Sequence, residues 1–482
     1  MTVPQPLLLR RARLAGLAQP VDISIARGRI RAISPALTAR PQVIDLEGRW
    51  VIPGLWDNHV HFTLWARHRT RLDVSGARSP EDVVALLSPA RDVDSDAPLV
   101  ARGFQDALWP REPSAEELDQ LAPDRPVVVI SHDLHSVWIN TAAARRFRAP
   151  RAGMLREEAA FAVEIALDAE FSADGGVIAD AVAAAASRGV VGIRDLEMAD
   201  NPASWAARVE AGIDALRVDA CFYPEHLDAV EARGLRTGRV VDGTGGLVTA
   251  DSLKLFADGS LNTRTAWCHD AYPGTDNVGH AAHDEAELRA LMADANARGF
   301  AIALHAIGDR AITVALDAYA ATGASGTIEH AQLLCEADVP RFAALGIPAS
   351  IQPEHALDDR GVSDVLWAGR TGRAFAYRAL ADAGAQLRLG SDAPVAALDP
   401  WFSIAAGTHR TRDDLPPWHP EQALTRDEAL RASVRTQLVP GALADMAILD
   451  ADPLTCDAAT LRAMPVAATM LGGRFTFASL VG

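Results

Sequence analysis

The chain has 482 residues, 49% hydrophobic and 23% charged, with a formal charge of −17 at neutral pH. That length exceeds a single small core, and the composition is ordinary for a folded globular chain. The acidity argues against nucleic acid and anionic membrane surfaces as partners, because both want a basic face.

Residues 1–53 read as short strands separated by turn signals, in "PLLLRRARLAG", "VDISIARGRIRAISP" and "QVIDLEGRWVIP". The opening lacks the apolar run of a secretory signal, and no stretch of about 18 apolar residues offers a membrane span. Four scattered cysteines, Cys221, Cys268, Cys335 and Cys456, form no CxxC pair. A reduced, cytoplasmic setting is therefore expected.

From Gly54 the pattern changes to apolar runs alternating with helical periodicity, the mark of a parallel α/β fold. Strand candidates start at Gly54, Gly189, Leu216, Ser252, Gly299, Gly326, Gly346 and Ala385. Amphipathic stretches lie between most of them, as at 284–299 and 309–323. Both of these begin with Asp as an expected N-cap and stop at Gly. Eight strand-helix units predict a (β/α)8 TIM barrel over 54–415. An open doubly wound sheet is disfavoured, since no glycine-rich dinucleotide turn follows an early strand.

The segment of about 65–175 reads as an insertion after the first barrel strand, emerging over the C-terminal face as a lid or pocket wall. Within it, the Asp-rich stretch at 91–98 reads as a polar loop without the glycine and glutamate of a calcium loop. Residues 416–482 resume the character of the start. They predict a final helix and the second part of a small β-sandwich built from both termini.

The strand ends carry the chemistry. The first ends in His59-Val60-His61, and strand alternation turns residues i and i+2 to one face. The fourth carries Lys254, the fifth His305, the sixth His330 and the eighth Asp392, each near the C-terminal end where barrel enzymes place their sites. Four neutral imidazoles and a carboxylate suit zinc or a similar divalent ion. Two ions about 3.5 Å apart need a bridging anion. Lys254 is the only lysine beside 45 arginines. A buried lysine amine can lose its charge and add CO2 as a carbamate, which an arginine cannot do.

With these residues on the page, the motifs "VIPGLWDNHVHF", "SLKLFADGSL", "ALHAIGDRA", "IEHAQ" and "LGSDAPV" resemble the amidohydrolase superfamily. The resemblance falls within its amidohydrolase-3, YtcJ-like branch, which includes N-substituted formamide deformylase. It runs almost the full length, to the closing "LADMAILDADPL". It implies that His59 and His61 bind the more buried ion with Asp392, that Lys254 bridges as a carbamate, and that His305 and His330 hold the second ion. Two positions depart from the family pattern. Leu134 precedes His135 where glycine is usual, and Asn262-Thr263 stands where Gly-Ser is common. Both bear on pocket shape rather than on ligation.

The implied activity is hydrolysis of a C–N bond, amide or N-formyl, in a small organic substrate by a metal-activated hydroxide. Asp392 would move the proton, and the developing oxyanion would be met first by the metal and second by His135, for which a structural hydrogen-bonding role is the alternative. An esterase, lactonase or decarboxylase would use the same ions. A non-catalytic scaffold is disfavoured, because all six ligand positions are kept. Trp109, Arg264 and His355 are candidates for substrate binding, with a lid-packing aromatic and a surface arginine as the alternatives for the first two. The remaining histidines, His280 and His283 among them, read as solvated. A homodimer stays open.

Overall fold

The computed structural model describes residues 6–38, 42–91, 96–170, 175–412 and 415–480. Half of the expected loop at 91–98, residues 92–95, falls outside them. Among the described residues, eight parallel strands form one sheet in sequential order. They are β1 (Leu55–Val60), β2 (Val190–Asp195), β3 (Arg217–Phe222), β4 (Val248–Phe256), β5 (Ile302–Ala306), β6 (Gly326–His330), β7 (Ala349–Ile351) and β8 (Leu387–Leu389). Each matches a strand read from the sequence.

The sheet curls until β8 meets β1, giving a nearly closed barrel. Closure occurs just beyond β8, where Asp392 N donates to His59 O and His61 N donates to Ala393 O, both at 2.7 Å. Gly390 permits this approach: a Cβ there would stand 2.6 Å from His59 N. The connection that shuts the barrel thus also brings Asp392 beside the two histidines of β1.

β1 is buried along its whole length, as expected for a parallel strand covered on both faces. Its apolar residues join one large core with the flanking helices. Of the two helices singled out above, Glu285–Ala297 is capped by Asp284, whose carboxylate accepts from Ala286 N and Glu287 N. The second differs from expectation. Gly308 is the N-cap of Asp309–Thr322, and Asp309 is turned inward as its first residue, accepting from His269 N and Arg373. The demand of buried donors overrides the local cap preference.

The insertion builds its own five-stranded sheet, with helix Glu158–Glu170 leading back toward the barrel. Strands from the two ends of the chain form two four-stranded sheets, one of which pairs Trp50–Pro53 with Met446–Leu449. The two sheets share an apolar cluster including Leu9, Ile23, Met446 and Met470. No helix among the described residues is long and apolar enough to cross a membrane.

Candidate metal centre

Below the barrel mouth lies a polar layer. Arg194, projecting from β2, is 1% exposed. Its Nη1 donates to Glu329 Oε1 at 2.7 Å and to Thr327 Oγ1 at 2.9 Å, its Nη2 donates to Ser252 Oγ at 2.9 Å, and its Nε pairs with Asp251. Glu329 turns its other oxygen to His59 Nδ1, 2.7 Å away. Burial raises the cost of a charge on Glu329, yet Arg194 and His59 hold its carboxyl well below the usual range. An ionised carboxylate on Nδ1 fixes the proton of His59 there and leaves Nε2 with a free lone pair, the state in which imidazole binds metal. That Nε2 is buried and meets no hydrogen-bond partner among the described residues.

The other side chains converge above this layer. Asp392 Oδ1 lies 3.4 Å from His59 Nε2 and 3.5 Å from His61 Nε2. These three offer ligand atoms within 4.8 Å of one another, and so do His330, His355 and Asp392. His330 Nδ1 is 3.0 Å from Gln352 Oε1, and the His305 and His330 rings meet edge to face at 4.5 Å. His305 Nε2 lies 3.2 Å from Gly259 O. Lys254 is 1% exposed, with Nζ 5.1 Å from the centroid of Phe256. No ion pair or hydrogen bond reaches it among the described residues.

The electrostatics separate these groups. Burial lowers the pKa of His59, and pushes those of His305 and His330 well down, so all three are neutral near pH 7. Burial opposes charge on His61 as well, but Asp392 outweighs it and raises that pKa. Burial would raise Asp392, yet His59, His61 and His330 together hold it well below the usual carboxylate range. Burial also lowers Lys254. Neutral imidazoles with open nitrogens around an ionised carboxylate are the donor set a divalent ion requires. The residues present fit the ion.

Backbone strain concentrates at the same place. His330 and Asp392 adopt φ of 73° and 58°, and Ala331 45°. A non-glycine residue in the left-handed region costs on the order of 1–2 kcal/mol. Here that turn aims each side chain off its strand into the mouth, as strained residues at functional sites do.

His135 comes from the insertion and sits in a different environment. Its Nδ1 is 2.7 Å from Glu157 Oε2, while Glu157 Oε1 accepts from Thr263 Oγ1 at 2.8 Å and Thr265 Oγ1 at 2.6 Å. Burial disfavours charge on His135, but Glu157 and Asp133 push its pKa up to about 9. Glu157 is held down to about 2 against its own burial, chiefly by His135. The preceding Leu134 has φ of 64°, so leucine fills a left-handed position suited to glycine.

A cavity of about 440 Å³ joins these groups, lined by His59, His61, His135, Lys254, His305 and Asp392 among others. His330 and His355 also face it. Two candidates do not. Trp109 packs on Phe104 with ring centroids 5.4 Å apart in the insertion's core, and Arg264 is exposed with φ of 59°. Sequence reasoning also missed His132, which lines the cavity 3.4 Å from Asp358, and His68, which is 3% exposed rather than solvated.

The model of the amidohydrolase family matches residues 42–477 of this sequence. The chain belongs to the amidohydrolase family. Among similar proteins is the putative amidohydrolase YtcJ of Bacillus subtilis (strain 168), 26% identical, the match covering 90% of each chain. The N-substituted formamide deformylase of Arthrobacter pascens is 23% identical over 94% of each chain. An uncharacterized metal-dependent hydrolase from Pyrococcus furiosus, known from its crystal structure, superposes with a TM-score of 0.74 at 25% identity. That match covers 93% of this chain and all of the other. The chain is thus a member of the amidohydrolase family that shares its fold with a metal-dependent hydrolase.

Proposed function

We propose that the amidohydrolase cleaves a C–N bond, amide or N-formyl, in a small organic substrate, using zinc or a similar divalent ion. The observation that carries this reading is the convergence of His59 Nε2 and His61 Nε2 on one Asp392 oxygen, at 3.4 and 3.5 Å, on the wall of the cavity. His59, His61 and Asp392 would hold one ion, with Lys254, His305 and His330 around a second, Lys254 as the carbamate. Bound ions supply a water acidified toward a pKa of about 7 and a Lewis acid for a carbonyl.

The chain's own residues do the rest. Glu329 and Arg194 keep His59 in the tautomer that presents Nε2. Asp392 stands at the cavity edge with a carboxylate kept ionised, able to take a proton and return it to a leaving nitrogen. His135, charged through Glu157, places an N–H donor against the same cavity, where negative charge on a carbonyl oxygen would develop. The insertion wall, with Leu134 and Phe161, limits the space left for the acyl and amine parts.

The deformylase relative supports the choice of bond. The test is a panel of N-formyl and N-acyl amines run beside matched esters and lactones, with zinc and bicarbonate supplied. Release of free amine that is abolished by chelator supports the assignment. Ester or lactone turnover exceeding every amide by on the order of 100-fold contradicts it.

A further inference from the structure

We propose that His355 is a ligand of the second divalent ion, beside His330 and facing the outer oxygen of Asp392. This rests on the metal-dependent reading above and adds to it a residue from the end of β7, where neither the family resemblance nor strand alternation places a ligand.

The carboxylate of Asp392 faces imidazoles on both sides. Its Oδ1 lies 3.4 Å from His59 Nε2 and 3.5 Å from His61 Nε2. Its Oδ2 lies 3.8 Å from His355 Nε2 and 3.9 Å from His330 Nδ1. Neither His59 Nε2 nor His355 Nε2 makes a hydrogen bond among the described residues. Two ligands on one tetrahedral zinc, each about 2.0–2.1 Å from it, stand roughly 3.4 Å apart. His355 Nε2 therefore stands close to that spacing from Oδ2, and the sets on both sides keep their ligand atoms within 4.8 Å of one another.

His355 is 5% exposed, and its Nε2 is buried with no hydrogen-bond partner among the described residues. Leaving such a polar atom unsatisfied costs about 1–3 kcal/mol. The only other ligand-type nitrogen with this status on the Asp392 carboxylate is His59 Nε2. His305 differs, since its Nε2 already faces Gly259 O at 3.2 Å.

The position of His355 is built rather than incidental. Helix Pro353–Asp358 starts directly after β7, and His355 N donates to Gln352 O at 3.1 Å. Gln352 also presents Oε1 to His330 Nδ1 at 3.0 Å. Gln352 thus touches the His330 ring and the His355 backbone, and the two rings lie nearly parallel at 13° with centroids 6.1 Å apart.

The test titrates the full-length protein, stripped of metal, with zinc and with Co2+, reading stoichiometry by elemental analysis and ligand field by visible absorption. The wild type is expected to take up about two ions. His355→Asn should keep the first and bind the second at least tenfold more weakly, with an altered cobalt spectrum. His355→Asp, which supplies an oxygen donor in place of the imidazole, should recover the second ion. Thermal unfolding of the metal-free variants reports whether each is folded. Should neither fold, zinc-soaked wild-type crystals answer directly, through anomalous density at bonding distance from His355 Nε2. His355→Asn that binds both ions with wild-type affinity, or second-ion density away from His355, overturns the proposal and leaves the hydrolase reading intact. A wild type that binds no ion overturns that reading itself.

Discussion

Two sets of histidines face the same cavity, and they are prepared in opposite ways. In the barrel-mouth set, His59 is neutral through burial and its Nε2 has no hydrogen-bond partner among the described residues. The insertion's His135 is charged, with Nδ1 closed by Glu157 at 2.7 Å. Both lie beside ionised carboxylates, so proximity to negative charge does not separate them. The difference lies in which nitrogen the carboxylate engages and what surrounds it. At His59 the buried Glu329 accepts a hydrogen bond from Nδ1 while Arg194 pairs with Glu329 from behind. At His135 the hydroxyls of Thr263 and Thr265 stand behind Glu157, so the carboxylate keeps its charge for the imidazolium. A cation behind a carboxylate makes a ligand, and hydroxyls behind one make a donor.

That contrast can be broken in graded steps. The largest effect belongs to Asp392→Asn, which removes the anion shared by both barrel-mouth groups. It should cost on the order of 10³-fold in kcat/KM, with metal content falling in parallel by elemental analysis. Lys254→Arg should fold but lose most activity, because a guanidinium forms no carbamate. Short carboxylic acids added to Lys254→Ala should restore part of the rate, and wild-type turnover in Lys254→Arg would rule out the carbamate. Next comes Glu329→Gln, which keeps the shape behind His59 but removes the charge. Zinc affinity measured against a competing chelator should fall roughly 10- to 100-fold.

The smallest expected effect is on stability. The raised pKa of His135 contributes stability that is complete below its ordinary 6.5 and is lost as pH rises through about 9. The depressed pKa of Glu157 contributes above its ordinary 4.5 and fades as pH falls through about 2. Their shared contribution is thus greatest between 4.5 and 6.5. Glu157→Gln should lower stability by roughly 2 kcal/mol there, the gap narrowing toward pH 9. Thermal unfolding of metal-free protein across pH reads it, and a gap that widens at alkaline pH would refute the charged pair.

Much of the barrel was legible because parallel strands buried on both faces leave apolar runs, and polar residues that interrupt such runs at their C-terminal ends stand out. His59, His61, Lys254, His305, His330 and Asp392 were found that way, and all six line one cavity. Glu329 was passed over because it adjoins His330, and strict alternation would send the two to opposite faces. The φ of 73° at His330 breaks that alternation, and nothing in a histidine announces it. A signal did exist, since Thr327 and Glu329 alternate inward on a strand too buried to tolerate an unpaired charge. Glu157 was hidden for another reason, as acidic residues ahead of an apolar run look like an ordinary helix start. Trp109 and Arg264 were drawn in by their place in motifs. Where they come to rest depends on packing within the insertion, which no periodicity encodes.

The central claim is that the barrel mouth is a centre for two divalent ions. It is tested most directly by metal content per chain, in protein purified without added metal or chelator and again after incubation with zinc and bicarbonate. About two zinc-like ions per chain after loading, with chelator abolishing activity, is the predicted result. A single ion under both conditions, with Lys254→Arg as active as wild type, would contradict the paired centre and leave Lys254 without its assigned role.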